Sequence, residues 1–87
     1  MSERKISIGD PVVFVDAKFV EHAALVTHVW GAETYPDDGG RKPGLNIIYV
    51  SNDANREDQY GRQIIHETSV THITMNEARA MVWKEVA

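Results

Sequence analysis

Leu45-Asn46-Ile47-Ile48-Tyr49-Val50 is the run that most restricts what this chain can become. It is too short for a helix and dominated by β-branched and aromatic side chains, so it reads as a strand. Turn residues bracket it, Lys42-Pro43-Gly44 before and Ser51-Asn52-Asp53 after. The same punctuation recurs along the chain. Gly9-Asp10-Pro11 is a turn leading into Val12-Val13-Phe14-Val15, and Pro11, lacking an N–H, can only open that strand or lie at an edge. After Asp16-Ala17-Lys18 a β-type run extends from Phe19 to Trp30, forming a hairpin with the first strand. Ala23, Leu25, Thr27 and Val29 share one face of it; His22, Ala24, Val26, His28 and Trp30 share the other. Residues 62–67 and 68–73 read as two further short strands. Asn76 to Met81 suits a helical turn with Asn76 as its N-cap, after which Met81-Val82-Trp83 reads as a closing strand.

Short strands at this spacing predict a mainly β fold: a small SH3-like β-barrel of about five to six short strands, with a short helical turn near the C-terminus. The 87 residues are enough for one domain, 1–87, carrying long loops at 31–44 and 51–61. A chain of this length buries only roughly 60–65% of the surface exposed when unfolded, so its core is thin. Val12, Phe14, Leu25, Val29, Ile47, Tyr49, Ile64 and Val70 are the predicted core or its margin. The chain has no cysteine, which excludes disulfides, thiolate zinc sites and thiol catalysis. A thin, unstapled core favours self-association, with an edge strand and Trp30 or Trp83 as interface anchors its means; either ring can instead complete the core, the favoured use of Trp83.

The formal net charge is −4 and the pI about 5.4. Phosphate binding draws on a basic surplus, so duplex nucleic acid is not the expected partner. The longest apolar run, Ala23-Ala24-Leu25-Val26, falls far short of a membrane span, and Met1 to Lys5 lack a signal-peptide core. A soluble intracellular protein is expected.

The opening stretch, residues 8–30, resembles SH3-like and KOW-like barrels: a Gly-Asp turn, a Val-rich strand, a brief reversal and a second strand containing Thr-x-Val. It departs from the KOW pattern in having no glycine at the reversal, Asp16 to Phe19. Longer stretches resemble a family of small phage-encoded proteins of unassigned function: Gly9 to Asp16, Ala24-Leu25-Val26-Thr27, Gly44 to Ser51 and Asp58 to Ile64. This resemblance implies a viral origin, hence the host cell cytoplasm or the virion as location.

Four histidines invite a metal reading. His22 and His28, like His66 and His72, are six positions apart, about 20 Å along a strand, so neither pair can hold one ion. Asp53, Asn55 and Glu57 echo a calcium loop, but Asp58 replaces its glycine and no glutamate closes it. No metal and no cofactor are expected. Gly39 to Gly44 is glycine-rich and basic yet opens no helix, and no nucleophile motif is present. The candidate ligand patch is Asp58, Tyr60, Arg62 and Gln63, where a forked guanidinium suits phosphate or carboxylate and a ring can stack. In-order strand pairing would bring Asn46, Ser51, Ser69, Thr71 and His72 toward it. The expected function is non-enzymatic binding in a homo-oligomer, sequestering a small anionic host ligand such as a nucleotide signal. The alternative is a virion structural or adaptor protein with a protein partner.

Overall fold

A computed structural model describes residues 3–36, 40–53, 55 and 57–86, with Asp58 described through its backbone. Its strands are β1 (Glu3–Lys5), β2 (Pro11–Val15), β3 (Glu21–Trp30), β4 (Thr34–Pro36), β5 (Gly44–Val50), β6 (Glu57–Asp58), β7 (Gly61–Arg62), β8 (Ile64–His72) and β9 (Val82–Lys84), with a 3₁₀ turn at Ile73–Met75. The protein is mainly β. Five strands close into a barrel in the order β2-β3-β5-β8-β9, and β9 returns to β2. All neighbours are antiparallel except β8 and β9. Barrel strands in chain order, with a 3₁₀ turn before the last, make the SH3-like arrangement. β1 pairs with β4 and β6 with β7, as separate two-stranded ribbons.

The core holds Val12, Phe14, Ala24, Val26, Leu45, Ile47, Val70 and Trp83, with Ile6 and Tyr35 completing it and Val29 and Tyr49 at its margin. Leu25 and Ile64 do not belong to it: they are 46% and 58% exposed. β3 buries His22, Ala24 and Val26, the face opposite to that predicted. A register shift between Val26 and His28 then reverses the alternation, so Val29 returns inward. One inserted residue moves every later side chain to the other face.

The residues expected as two strands, 62–67 and 68–73, form mainly the single strand β8. It is irregular where the register shifts between Leu45 and Ile47 and where Ser69 adopts φ 55°. The helical turn lies earlier than expected, at Ile73–Met75, capped by His72. Asn76 instead closes a non-helical turn, accepting Ala78 N–H on Oδ1 and Arg79 N–H on its carbonyl. The loop 31–44 also contributes to the core, since it contains β4, buried Tyr35 and buried Pro43. Its residues 37–39 lie outside the described part.

The reversal between β2 and β3 shows how the missing glycine is replaced. Phe19 N–H donates to the Asp16 carbonyl at 3.0 Å, and Asp16 N–H to Val20. This is a tight turn whose last residue must be left-handed, a place glycine normally takes. Phe19 occupies it at φ 64°. The Asp16 carboxylate holds it there, accepting Lys18 N–H (2.8 Å) and Val20 N–H (3.0 Å) on Oδ1 and His22 Nε2 (2.8 Å) on Oδ2.

Candidate functional site

The polar residues singled out from the sequence fall into three places. Tyr60 stands at the tip of the β6–β7 hairpin, 88% exposed, with Gly61 at φ 112° behind it. Arg62 Nε donates to Glu57 Oε2 at 2.8 Å across the same hairpin, and Nη1 reaches the Ser51 carbonyl at 3.5 Å. Ser51 is buried, accepts Asp53 N–H on its hydroxyl and donates its own N–H to the Gln63 carbonyl. These contacts fasten the hairpin to the end of β5. The Asp58 side chain lies outside the described part.

Asn46 sits near the opposite end of β5, about 17 Å along the strand from Ser51. Its Oδ1 accepts both Trp30 Nε1–H and Ser69 N–H, each at 2.8 Å. It thus bridges the two register shifts, one in β3 and one in β8. Thr71 is exposed and paired with Val82. His72 is buried: Nδ1 accepts Thr74 N–H (3.2 Å), and Nε2 faces Glu85 Oε1 at 2.9 Å, so the proton sits on Nε2. Tyr35 donates to the other Glu85 oxygen at 3.0 Å. Burial alone would push the Glu85 carboxyl up, yet the bonds from His72, its own backbone and Tyr35 outweigh it and hold the group below the usual glutamate range. Asn46, Ser69, Thr71 and His72 therefore do not gather around Arg62.

The histidines divide in the same structural manner. His22 and His72 are buried rather than rimming polar faces. His22 lies against Tyr49 (ring centroids 4.5 Å), which stacks on Phe14 (4.9 Å). The His22 hydrogen bond is the leading reason the Asp16 carboxyl titrates below its ordinary value, with burial opposing it and the turn N–H groups assisting. His66 meets Thr27, and His28 meets Trp30 edge to face at 4.4 Å. Among the described residues no three His, Asp or Glu side chains are grouped to hold a metal ion. No helix among them is long and apolar enough to cross a membrane.

Trp83 completes the core, the favoured of its two expected uses, and is not an interface anchor: it is fully buried, its indole N–H donating to the Pro43 carbonyl at 3.0 Å and its ring packed on Tyr35 and His72. Trp30 remains half exposed beside a pocket of about 260 Å³ that Thr34, Arg41 and Pro43 also line.

What sequence reasoning missed is the outer face of the barrel. The register aligns Pro11 with Leu25, Leu25 with Ile48, and Val50 with Ile64. With Ala23 these residues line a shallow depression of about 220 Å³ on the outside of β2, β3, β5 and β8. Val50 is 52% exposed. Isolated surface aliphatics are ordinary; this group is contiguous across four strands. The signal was present in β5, whose neighbouring positions Ile47-Ile48 and Tyr49-Val50 are apolar toward both faces. A sheet with one solvated face alternates instead. Comparison with protein-family models, with curated proteins and with solved structures finds no match.

Proposed function

We propose that this chain is a non-enzymatic binding module, a structural or adaptor component that engages protein through the apolar outer face of its barrel. The observation that carries this reading is the continuous group Leu25, Ile48, Val50 and Ile64 on neighbouring strands. The polar groups that chemistry would need are used elsewhere: Asp16 and His22 fix a turn, Glu85 and His72 fasten the last strand, and Arg62 and Glu57 brace a hairpin. The resemblance to small phage-encoded proteins supports a virion, or an assembly in the infected host cytoplasm, as its setting. A photo-crosslinking residue at position 25 or 64, in producing cells, should give protein adducts that position 78 does not. Equal labelling at all three would sink the reading.

A second reading, capture of a small anionic ligand, draws support from the Trp30 pocket rather than from Arg62. There a ring held by Asn46 and the exposed Arg41 line one concavity. A charge-assisted hydrogen bond is worth about 1.5–3 kcal/mol, so Arg41→Ala should weaken nucleotide binding by roughly tenfold to a hundredfold. Arg62→Ala should leave it unchanged. Calorimetric titrations of the two variants separate this reading from the first.

A further inference from the structure

Resting on the docking-face reading, we propose that the partner seated on this face is a second copy of the chain, packed sheet against sheet about a two-fold axis. Three observations bear on this: charge points to a copy rather than a strongly charged partner, and shape and area are compatible with one.

The first concerns charge. Along β3 the apolar group is bounded at one end by the Glu21–Lys84 ion pair and at the other by the Thr27–His66 contact. The bounding ion pair carries both signs, and the other contact adds no acidic group. A strongly basic or acidic partner would be met by a rim of one opposite sign; a rim already balanced within itself suits an identical one. Around a two-fold axis the same patch must serve as both surfaces.

The second is shape. The apolar residues lie on the outside of neighbouring strands paired in register, which is the surface two sheets use when they stack about 10 Å apart. Leu25, Val50 and Ile64 stand proud of it, and the depression among them can receive the same side chains of the partner.

The third is area. Pairing would recover surface that the thin core leaves in water. The buried area would be on the order of 1,000 Å² over both copies, the lower bound of a specific interface. An interface of that size belongs to a reversible dimer rather than an obligate one.

Light scattering and sedimentation velocity of the purified protein, from low to high micromolar, test this. The parent should pass from monomer to dimer across that range, with the melting temperature rising in step. Leu25→Glu and Ile64→Glu should remain monomeric; Ala78→Glu should behave as the parent. Because the chain has no cysteine, Val50→Cys offers a second route that is independent of how well the charged variants fold. Oxidation should link it into a disulfide dimer far faster than Ala78→Cys. A parent that stays monomeric at high micromolar concentration, or equal linking of the two cysteine variants, overturns the proposal. The crosslinking at positions 25 and 64 then distinguishes the two failures. Adducts of a mass other than a dimer leave the docking face standing and remove the second copy, while absence of adducts removes both.

Discussion

Replacing Asp16 by alanine strips the β2–β3 turn of three hydrogen bonds at once. They are not equal in consequence. Lys18 and Val20 are exposed, so their N–H groups find water when the carboxylate is gone. The His22 ring is not so placed; its side chain is 6% exposed, and its Nε2–H would be left buried and unpaired. That omission costs about 1–3 kcal/mol. A further few tenths come from a left-handed Phe19 that the backbone bonds of the turn alone now hold. A total of about 2 kcal/mol corresponds to a melting temperature lower by roughly 8–16 °C for a domain of this size. The assay is a double-mutant cycle by chemical denaturation, with His22→Phe as the second change, since a phenyl ring retains the packing on Tyr49 without the N–H. If the buried N–H is the cause, Asp16→Ala should cost about 1–2 kcal/mol less in the His22→Phe background. Strict additivity would refute the reasoning. The Asp16 carboxyl titrates lower in the folded chain than in the unfolded one. Its contribution is therefore fully present above the ordinary aspartate range, near pH 4, and is lost as pH falls through the folded value. Asp16→Asn should flatten that part of the stability profile.

Phe19→Gly relieves a left-handed conformation that costs a non-glycine residue roughly 1–2 kcal/mol; part is returned as glycine entropy, and urea denaturation should show a gain of about 0.5–1 kcal/mol. Asn46→Leu removes the shared acceptor of Trp30 and Ser69 and should cost about 1–2 kcal/mol, with a red shift and faster quenching of Trp30 fluorescence as the local report. Glu85→Gln should cost about 1 kcal/mol at neutral pH. Because the Glu85 carboxyl is also held low when folded, the parent loses that stability as pH falls below the glutamate range, and the variant should not. An unchanged acid limb in circular dichroism would count against the His72–Glu85–Tyr35 linkage.

The strands and their order were legible because β2 and β5 carry strong β-type runs bounded by turn residues. The phase of β3 was not, since His22 looks polar and Leu25 apolar. Only the aromatic stack with Tyr49 and the Asp16 acceptor make a buried histidine cheaper here than a buried leucine. The register shift after Val26 has no glycine to announce it, and neither does the left-handed Ser69. Tyr35 was hidden for another reason, because the loop around it is polar in composition and its burial depends on Trp83, nearly fifty positions away. The candidate site residues are spread over the barrel in a consistent way. Asn46, Ser51, Arg62 and His72 have the hydrogen-bonding capacity of a ligand site, but the fold uses it internally: Asn46 joins β3 to β8 and His72 holds Glu85, while Arg62 and Ser51 brace the β6–β7 hairpin. The apolar face went unread because exposed aliphatics look like core until the register is known.

The position of β9 between β2 and β8 also bears on how the molecule comes to exist. Val82–Lys84 pairs with residues of β2 from nearly the other end of the chain, so the ring cannot shut until synthesis has carried this segment clear of the ribosome. Until then β2 presents a row of unsatisfied N–H and C=O groups beside the apolar side chains that Trp83 will later cover. Contacts so distant in sequence also slow closure once the segment is free. The nascent protein thus passes through a stage in which another extended strand can take the place of β9. Trimming of residues 82–84 by a protease would restore that same open state to the finished molecule.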